Sequence, residues 1–313
     1  MTEAAVAWND LSTQAVDVAF FAYLAAMVGS FHFLAFRRPL VRRVALAVTV
    51  LGAGAHLVAL VARGIAADRL PVGNMYEYSL LLTFLVVLAY LVGVERIARV
   101  TTLGGFVLAF VVLTLAVAVV FLYVGPAPLV PALDSYWRTV HVTAMIVSSS
   151  LLALGSVVTI LYLWQERRER RASGAPAPIM GGSIGVEDAP PHFEVDAVRA
   201  GHESAGRFPS AAALDALASR ILSFAFPLWT FGVISGAIWA EDAWGRYWGW
   251  DPKETWSFIT WTVFAGYLHA RTTSGWRGRR AAVIALVGFV SLLITYYAVN
   301  LWIVGLHSYA GVS

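Results

Sequence analysis

The feature that most constrains this chain is a succession of long apolar runs separated by polar stretches. They lie at about Ala15 to Phe36, Val44 to Ala66, Tyr78 to Val94, Leu103 to Val124, Val140 to Trp164, Leu217 to Ala240, Trp256 to Ala270 and Ala281 to Gly305. About 20 apolar residues cross the hydrocarbon layer of a bilayer as a helix. Backbone polar groups in hydrocarbon need partners within their own segment, and none of the runs shows the period-two alternation of a membrane barrel, so each is expected to be helical. The expected fold class is all-α: a polytopic membrane helix bundle of about eight transmembrane helices. Composition agrees, since 59% of the residues are hydrophobic and 13% charged, a balance a soluble domain of this length does not keep.

Arginine placement predicts the topology. Arg37, Arg38, Arg42 and Arg43 lie between the first two runs, Arg96 and Arg99 between the third and fourth, Arg167, Arg168, Arg170 and Arg171 after the fifth, and Arg271, Arg277, Arg279 and Arg280 after the seventh. The opposite loops carry only Arg63, Arg69, Arg138, Arg246 and Lys253. Basic loops stay in the cytoplasm, which predicts that both termini are extracytoplasmic. Met1 to Asp10 lack a basic n-region, so the first run reads as a retained span rather than a cleaved signal peptide. The net charge of +3 reports this sorting of loops and not a nucleic-acid surface.

Three parts follow: residues 1–164 as a five-helix membrane part, 165–215 as a disordered cytoplasmic linker rich in Gly, Pro, Ser and acidic residues, and 216–313 as a three-helix membrane part. Cysteine is absent, which excludes disulfides, thiol relay and covalent thioether attachment to this chain itself. No phosphate-binding loop, nucleophile elbow, zinc spacing or internal repeat is present.

The stretch from Trp239 to Trp261 holds Trp239, Trp244, Trp248, Trp250, Trp256 and Trp261, half of the 12 tryptophans. An interfacial aromatic belt is one reading. The other is a platform: flat indole faces interleaved with Gly245 and Gly249 suit a broad, planar, mostly apolar ligand with polar edges, such as a porphyrin. Asp251, Pro252 and Glu254 have the pattern of a helix start, with Asp as N-cap, Pro at N1 and Glu at N3. Such an N-terminus also offers amides to propionates. Arg246 and Lys253 are candidate propionate contacts, although attraction to lipid phosphates explains them as well.

Imidazole is the usual proximal ligand of haem iron. His141 at the outer start of the fifth run and His307 past the eighth face the same side as the tryptophan loop, the arrangement a bis-histidine site requires. His269 lies near the inner end of the seventh run. His32 and His56 are weaker ligand candidates, for which a helix-packing role bonded to a neighbour is at least as good a reading. His192 and His202 fall in the linker. Asn74, Tyr76 and Glu77 at the outer mouth of the third run read as capping and hydrogen-bonding residues.

The segment Trp244-Gly-Arg-Tyr-Trp-Gly-Trp-Asp-Pro-Lys-Glu-Thr-Trp256 resembles the tryptophan-rich WWD signature of haem-handling membrane proteins. Pro71-Val-Gly-Asn-Met-Tyr-Glu77 and Leu306-His-Ser-Tyr-Ala-Gly311 extend the likeness to the CcsA/ResC branch of System II cytochrome c maturation, which includes actinobacterial proteins named CcsB. The long linker is unusual for that family and touches none of these motifs. The resemblance implies a multi-pass protein of the bacterial cytoplasmic membrane that holds non-covalent b-type haem in transit and presents it outside. Attachment to the Cys-x-x-Cys-His segment of an apocytochrome c follows, the chain acting as a subunit of the haem lyase and not as a stand-alone enzyme. It implies His141 and His307 as axial ligands and His269 in a lower haem site. The platform would comprise Trp244, Tyr247, Trp248, Trp250, Asp251 and Trp256, with Asn74, Tyr76, Glu77 and Glu254 in support. Its expected partners are a CcsB/ResB-type membrane subunit, also called Ccs1, the apocytochrome, a thioredoxin-like thiol reductant and the lipid bilayer. The alternatives are a CcmC-like haem exporter serving a chaperone, and a b-type electron-transfer subunit.

Overall fold

A computed structural model describes residues 2–128, 135–173 and 208–306. Eight long helices follow one another in chain order: α1 (Glu3–Phe36), α2 (Pro39–Ala67), α3 (Met75–Ala89), α4 (Gly104–Phe121), α5 (Tyr136–Ser173), α6 (Ala211–Trp244), α7 (Pro252–Thr272) and α8 (Arg279–Leu293). The third continues as a π-helix over Tyr90–Ile97, and the eighth as a π-segment, Ile294–Ala298, followed by Val299–Trp302. No strand occurs among the described residues.

Seven of these helices are long and apolar enough to cross a membrane. The remaining one, α7, has 21 residues, about 31 Å of helix, which is long enough. Lys253, Glu254, His269 and Arg271 at its two ends lower its apolarity.

Local chemistry sets the helix ends. Thr2 caps α1 by accepting from Ala5 N, and Arg37 closes it in the left-handed region at φ 58°, turning the chain so that Pro39 starts α2. The Asn74 side chain accepts from Glu77 N to begin α3. Ser210 caps α6, and Gly245 ends it at φ 67°, a geometry that glycine adopts without strain. At the start of α7 the capping box of Asp251 and Glu254 is complete, with Pro252 in the first turn, as the sequence pattern predicts.

The linker boundaries differ from those read in the sequence. Helix α5 runs on to Ser173, through residues assigned to the linker from 165 onward. The reason is local: Gln165 bonds Glu169 and Glu166 pairs with Arg170 one turn on, which supports a solvated helical extension. At the far side α6 begins at Ala211, before the expected boundary at 216, with its first amide accepted by Glu169 of α5.

Nor does the core respect a five-plus-three division. Leu154, Val158 and Leu161 of α5 join Leu214 and Ala218 of α6 in the cluster formed with α1 to α4, while Leu152 joins Leu222, Trp229 and Phe264 in a second cluster. Helix α5 is thus the central strut. Gly155 lets it approach α6, since a side chain there would sit 2.7 Å from Leu222 Cδ2. Its buried serines bond back within the helix, Ser148 to Ala144 O and Ser150 to Ile146 O, so they enter the core without orphaned hydroxyls.

The helices alternate in direction, which gathers the loops at two ends. At the end that carries the tryptophan loop, fully buried Arg63 donates to Glu77, to Asn9 and to Val124 O. Arg69 also pairs with Glu77, bonds Ala127 O and thereby ties α2 and α3 to the segment after α4. At the other, arginine-rich end, Arg271 makes a two-point pair with Asp215, fixing α7 to α6.

Candidate functional site: a histidine and tryptophan cavity at the loop end

The cavity at the tryptophan-loop end has a volume of about 170 Å³ and is walled by separate segments: residues 72–78, the first turns of α5, the last turns of α6, the loop into α7, and the π-segment of α8. Sequence elements far apart in the chain therefore meet around one space. His141, Asn74, Tyr247, Trp248, Lys253 and Glu254 all line it.

His141 is held from three sides. Its Nδ1 lies 2.7 Å from Gly232 O; the carbonyl can only accept, so Nδ1–H donates. A neutral imidazole in that tautomer carries its lone pair on Nε2. The ring stacks on Trp239, with centroids 5.9 Å apart and planes 18° from parallel. Gly236 leaves the necessary room, because a Cβ there would lie 2.7 Å from both Cε1 and Nδ1 of the ring. A backbone carbonyl orienting the second nitrogen is the usual support of a metal-ligating histidine.

The aromatic lining differs in part from the expected platform. Trp248 and Tyr247 line the cavity, as does Trp239, which was not among the platform residues expected. Trp244 packs on Trp239 at 5.0 Å and Trp250 meets Trp248 edge-on at 5.7 Å, so these two back the lining instead of forming it. Trp256 is half-buried and Trp261 sits deeper, donating to Thr230. Trp250 adopts φ 58°, a left-handed conformation that bulky residues avoid. The turn lets Glu254 Oε2 accept both Gly249 N (2.8 Å) and Asp251 N (3.0 Å).

The polar wall carries two cations. Lys253 Nζ donates to Asn300 Oδ1 at 2.6 Å. It precedes the span, and burial pushes its pKa down to about 8 against a smaller opposing pull from Asp251. Buried Arg138 also lines the cavity and donates to Val72 O; the sequence marked it only as an outer arginine. Arg246 lies outside the lining, 4.0 Å from Glu254.

Among Asn74, Tyr76 and Glu77, only Asn74 lines the cavity. The Glu77 carboxylate accepts from Arg63, Arg69 and Gly73 N, and the Arg69 and Gly73 hydrogen bonds are geometric anchors for the 68–74 loop. Tyr76 is buried against Tyr123 beneath the Arg63 guanidinium. Tyr78 and Tyr296 escaped the sequence reading. Both line the cavity, their rings tilted against each other at 4.8 Å, with Tyr78 bonded to Ser149 and Tyr296 to Ser79 and Met75 O. Tyr296 stands in the π-segment Ile294–Ala298 beside Thr295, which also lines the cavity.

The other described histidines, His32, His56 and His269, do not line this cavity. His269 is exposed in a separate apolar groove between α7 and α8, beside Trp276 and Ala270, with Nδ1 3.4 Å from Thr273 Oγ1. His56 is buried between Tyr23 and Phe84, and His32 packs on Phe36; neither lines the groove of His269. His307, His192 and His202 lie outside the described residues.

A family model described as cytochrome c assembly protein matches residues 72–307. The chain belongs to the cytochrome c assembly protein family. The match begins where the cavity's first wall begins and leaves out α1 and α2. The chain is 42% identical to the cytochrome c biogenesis protein CcsA of Gloeobacter violaceus over 84% of its length and 87% of the relative's. It is 36% identical to CcsA of Synechocystis sp., covering 79% of this chain and 82% of that one, and 35% identical to CcsA of Porphyra purpurea, covering 96% and 97%. The assignment as a CcsA protein of System II cytochrome c biogenesis therefore stands, as does a role in cytochrome c maturation as a multi-pass membrane protein. A solved structure, the cytochrome c heme lyase CcmF, superposes with a TM-score of 0.64 at 16% identity, covering 95% of this chain and 47% of CcmF. The chain thus spans about half of that structure, and the likeness is one of fold.

Proposed function

We propose that this chain is the haem-presenting membrane subunit of a cytochrome c synthase. Haem is its cargo, held non-covalently in the cavity with His141 on the iron. The observation that carries this is the pinned His141: donation through Nδ1 to Gly232 O and stacking on Trp239 prepare Nε2 for a metal. The donor set suits haem in other respects. Indole and phenol rings match a macrocycle, and Lys253 and Arg138 match its carboxylates. A partly open space of about 170 Å³ is smaller than the roughly 300–1,000 Å³ of pockets that bury a ligand. A macrocycle seated here keeps an edge outside, which suits a protein that must hand haem on.

In this proposal His307 is the second axial ligand, and the tryptophan loop and both termini are extracytoplasmic, as the arginine-rich opposite end supports. The vinyl groups supply the chemistry: each acceptor thiol adds its sulfur and its hydrogen across one vinyl double bond, so no oxidant is consumed. The chain's residues orient and shield rather than transfer protons, consistent with the Glu77 carboxylate being held by Arg63, Arg69 and Gly73 N. The apocytochrome supplies the thiols, kept reduced by a thioredoxin-like protein, and a CcsB/ResB-type subunit completes the enzyme in the bacterial cytoplasmic membrane. His269 and its groove form a lower station on the inner side, facing lipid.

The test is the absorption spectrum of the full chain, purified in detergent from haem-replete cells expressing its partner subunit. Haem with imidazole ligation in the wild type, weakened in His141→Ala, is expected. A wild type without haem, or an unaltered spectrum in His141→Ala, refutes the assignment.

A further inference from the structure

Asp251 does more than a helix cap requires. One carboxylate oxygen, Oδ1, accepts from Lys253 N at 3.1 Å and begins α7. The other, Oδ2, accepts at 2.7 Å from Leu306 N, 55 residues further along the chain. Capping needs only one oxygen, so the second bond has a separate purpose. The carboxylate is oriented from its own backbone too, since Asp251 N donates to Glu254.

The partner segment is built to receive it. The last helical turn ends at Trp302, and Ile303 is extended. Trp302, Ile303 and Val304 are exposed, Val304 by 91%, so packing does little to hold the chain here. Gly305 lies directly against the carboxylate: a Cβ at that position would sit 2.6 Å from Asp251 Oδ2 and 3.2 Å from Pro252 Cδ. Only glycine permits the approach that brings Leu306 N to Oδ2.

We propose that Asp251 is a positioning residue for the axial ligand that follows Leu306, joining the segment that leads to His307 to the loop that carries the tryptophans. This rests on the reading of His307 as a haem ligand. The clamp fixes the chain at Leu306, immediately before that residue, relative to the start of α7, which carries Lys253 of the cavity wall.

Two measurements on the full-length protein in detergent test it. Hydrogen exchange of the peptide containing Leu306, in haem-free protein, is expected to be about 10- to 100-fold faster in Asp251→Ala, the range for loss of a hydrogen bond to a charged acceptor. In haem-loaded protein, Asp251→Ala and Gly305→Val are expected to lose low-spin character as His307→Ala does, with added imidazole restoring it in all three. Asp251→Asn, which keeps one acceptor oxygen, should fall between. Gly305→Val breaks the clamp from the other side if Asp251→Ala fails to fold. Unchanged exchange at Leu306, or low-spin spectra retained in Asp251→Ala and Gly305→Val while His307→Ala loses its own, overturns the clamp and leaves the ligand standing. A spectrum unmoved by His307→Ala overturns the ligand assignment and the clamp with it. Failure of imidazole to restore the Asp251 and Gly305 variants shows general collapse of the site and also overturns the clamp.

Discussion

The cavity around His141 and the groove around His269 each contain a histidine beside a tryptophan, yet they are built differently. The cavity draws its walls from α3, α5, α6, α7 and α8, and its histidine is fixed by a carbonyl, a stacked indole and a glycine-sized gap. The groove is lined by α7, α8 and the turn between them, is almost wholly apolar, and leaves His269 exposed with one long contact to Thr273. No second described histidine lines it. Preorganisation, and not the residue types present, separates a site that orients a ligand from one that merely admits it.

The sharpest way to break the comparison is His141→Ala. Removing the proposed ligand is expected to reduce haem retention beyond the 10- to 100-fold loss typical of second-sphere changes, measured as haem per protein after purification. Equal retention would place the cavity on the same footing as the groove. Next is Gly236→Val, which leaves every polar group in place but intrudes on the ring. Its expected loss is about 10- to 100-fold, seen as a change of axial ligation at unchanged melting temperature, and an unaltered spectrum would show that orientation of the ring is immaterial.

Lys253→Gln should weaken binding of haem about tenfold, the scale of one charged hydrogen bond, while leaving binding of haem dimethyl ester unchanged. The sign of its pH dependence follows from the depressed pKa of about 8. The ammonium is charged below that value and neutral above it, so affinity in the wild type should fall as pH rises through about 8, and a bound carboxylate would move that step upward. A titration of affinity against pH that is equally steep in Lys253→Gln would remove the lysine from the site. Smallest is the expected effect of His269→Ala on the loop-end cavity: no change in the spectrum of the haem that His141 is proposed to hold. A shift there would mean that the two regions are coupled.

A stability comparison sharpens the same contrast at the scaffold. Arg63→Met removes one of the two guanidinium partners of the buried Glu77 carboxylate, leaving Arg69 and Gly73 N, and is expected to destabilise the loop end by about 1.5–3 kcal/mol, the scale of a hydrogen bond to a charged group. Its measure is thermal melting in detergent, and a change of less than about 1 kcal/mol would show that Arg69 alone satisfies Glu77.

Much of this protein is legible along the chain. Apolar run length fixes the helices, because a backbone in hydrocarbon has no other way to satisfy its polar groups. The capping box at Asp251 and the cap at Asn74 follow from residues within one turn of each other. His141 was visible as a histidine at the right depth beside a tryptophan-rich loop. These are local properties, carried by neighbours in sequence.

What only the tertiary structure decided is which side of each residue faces the cavity. Trp239 rather than Trp250, Arg138 rather than Arg246, and Tyr78 rather than Tyr76 line it, and each choice turns on how the helices and the loop after α6 pack around the cavity. Tyr296 enters the wall from a π-segment, Ile294–Ala298, and nothing in the apolar pattern marks a turn that is one residue wider. The second oxygen of Asp251 finds Leu306 only because α8 returns its chain to the start of α7. Hydrophobicity fixes that helices form and roughly where they end, whereas rotation and register are set by interdigitating side chains such as Gly155 against Leu222 and Gly236 against His141. Those fits are properties of pairs distant in sequence, and they exist only once the bundle has closed.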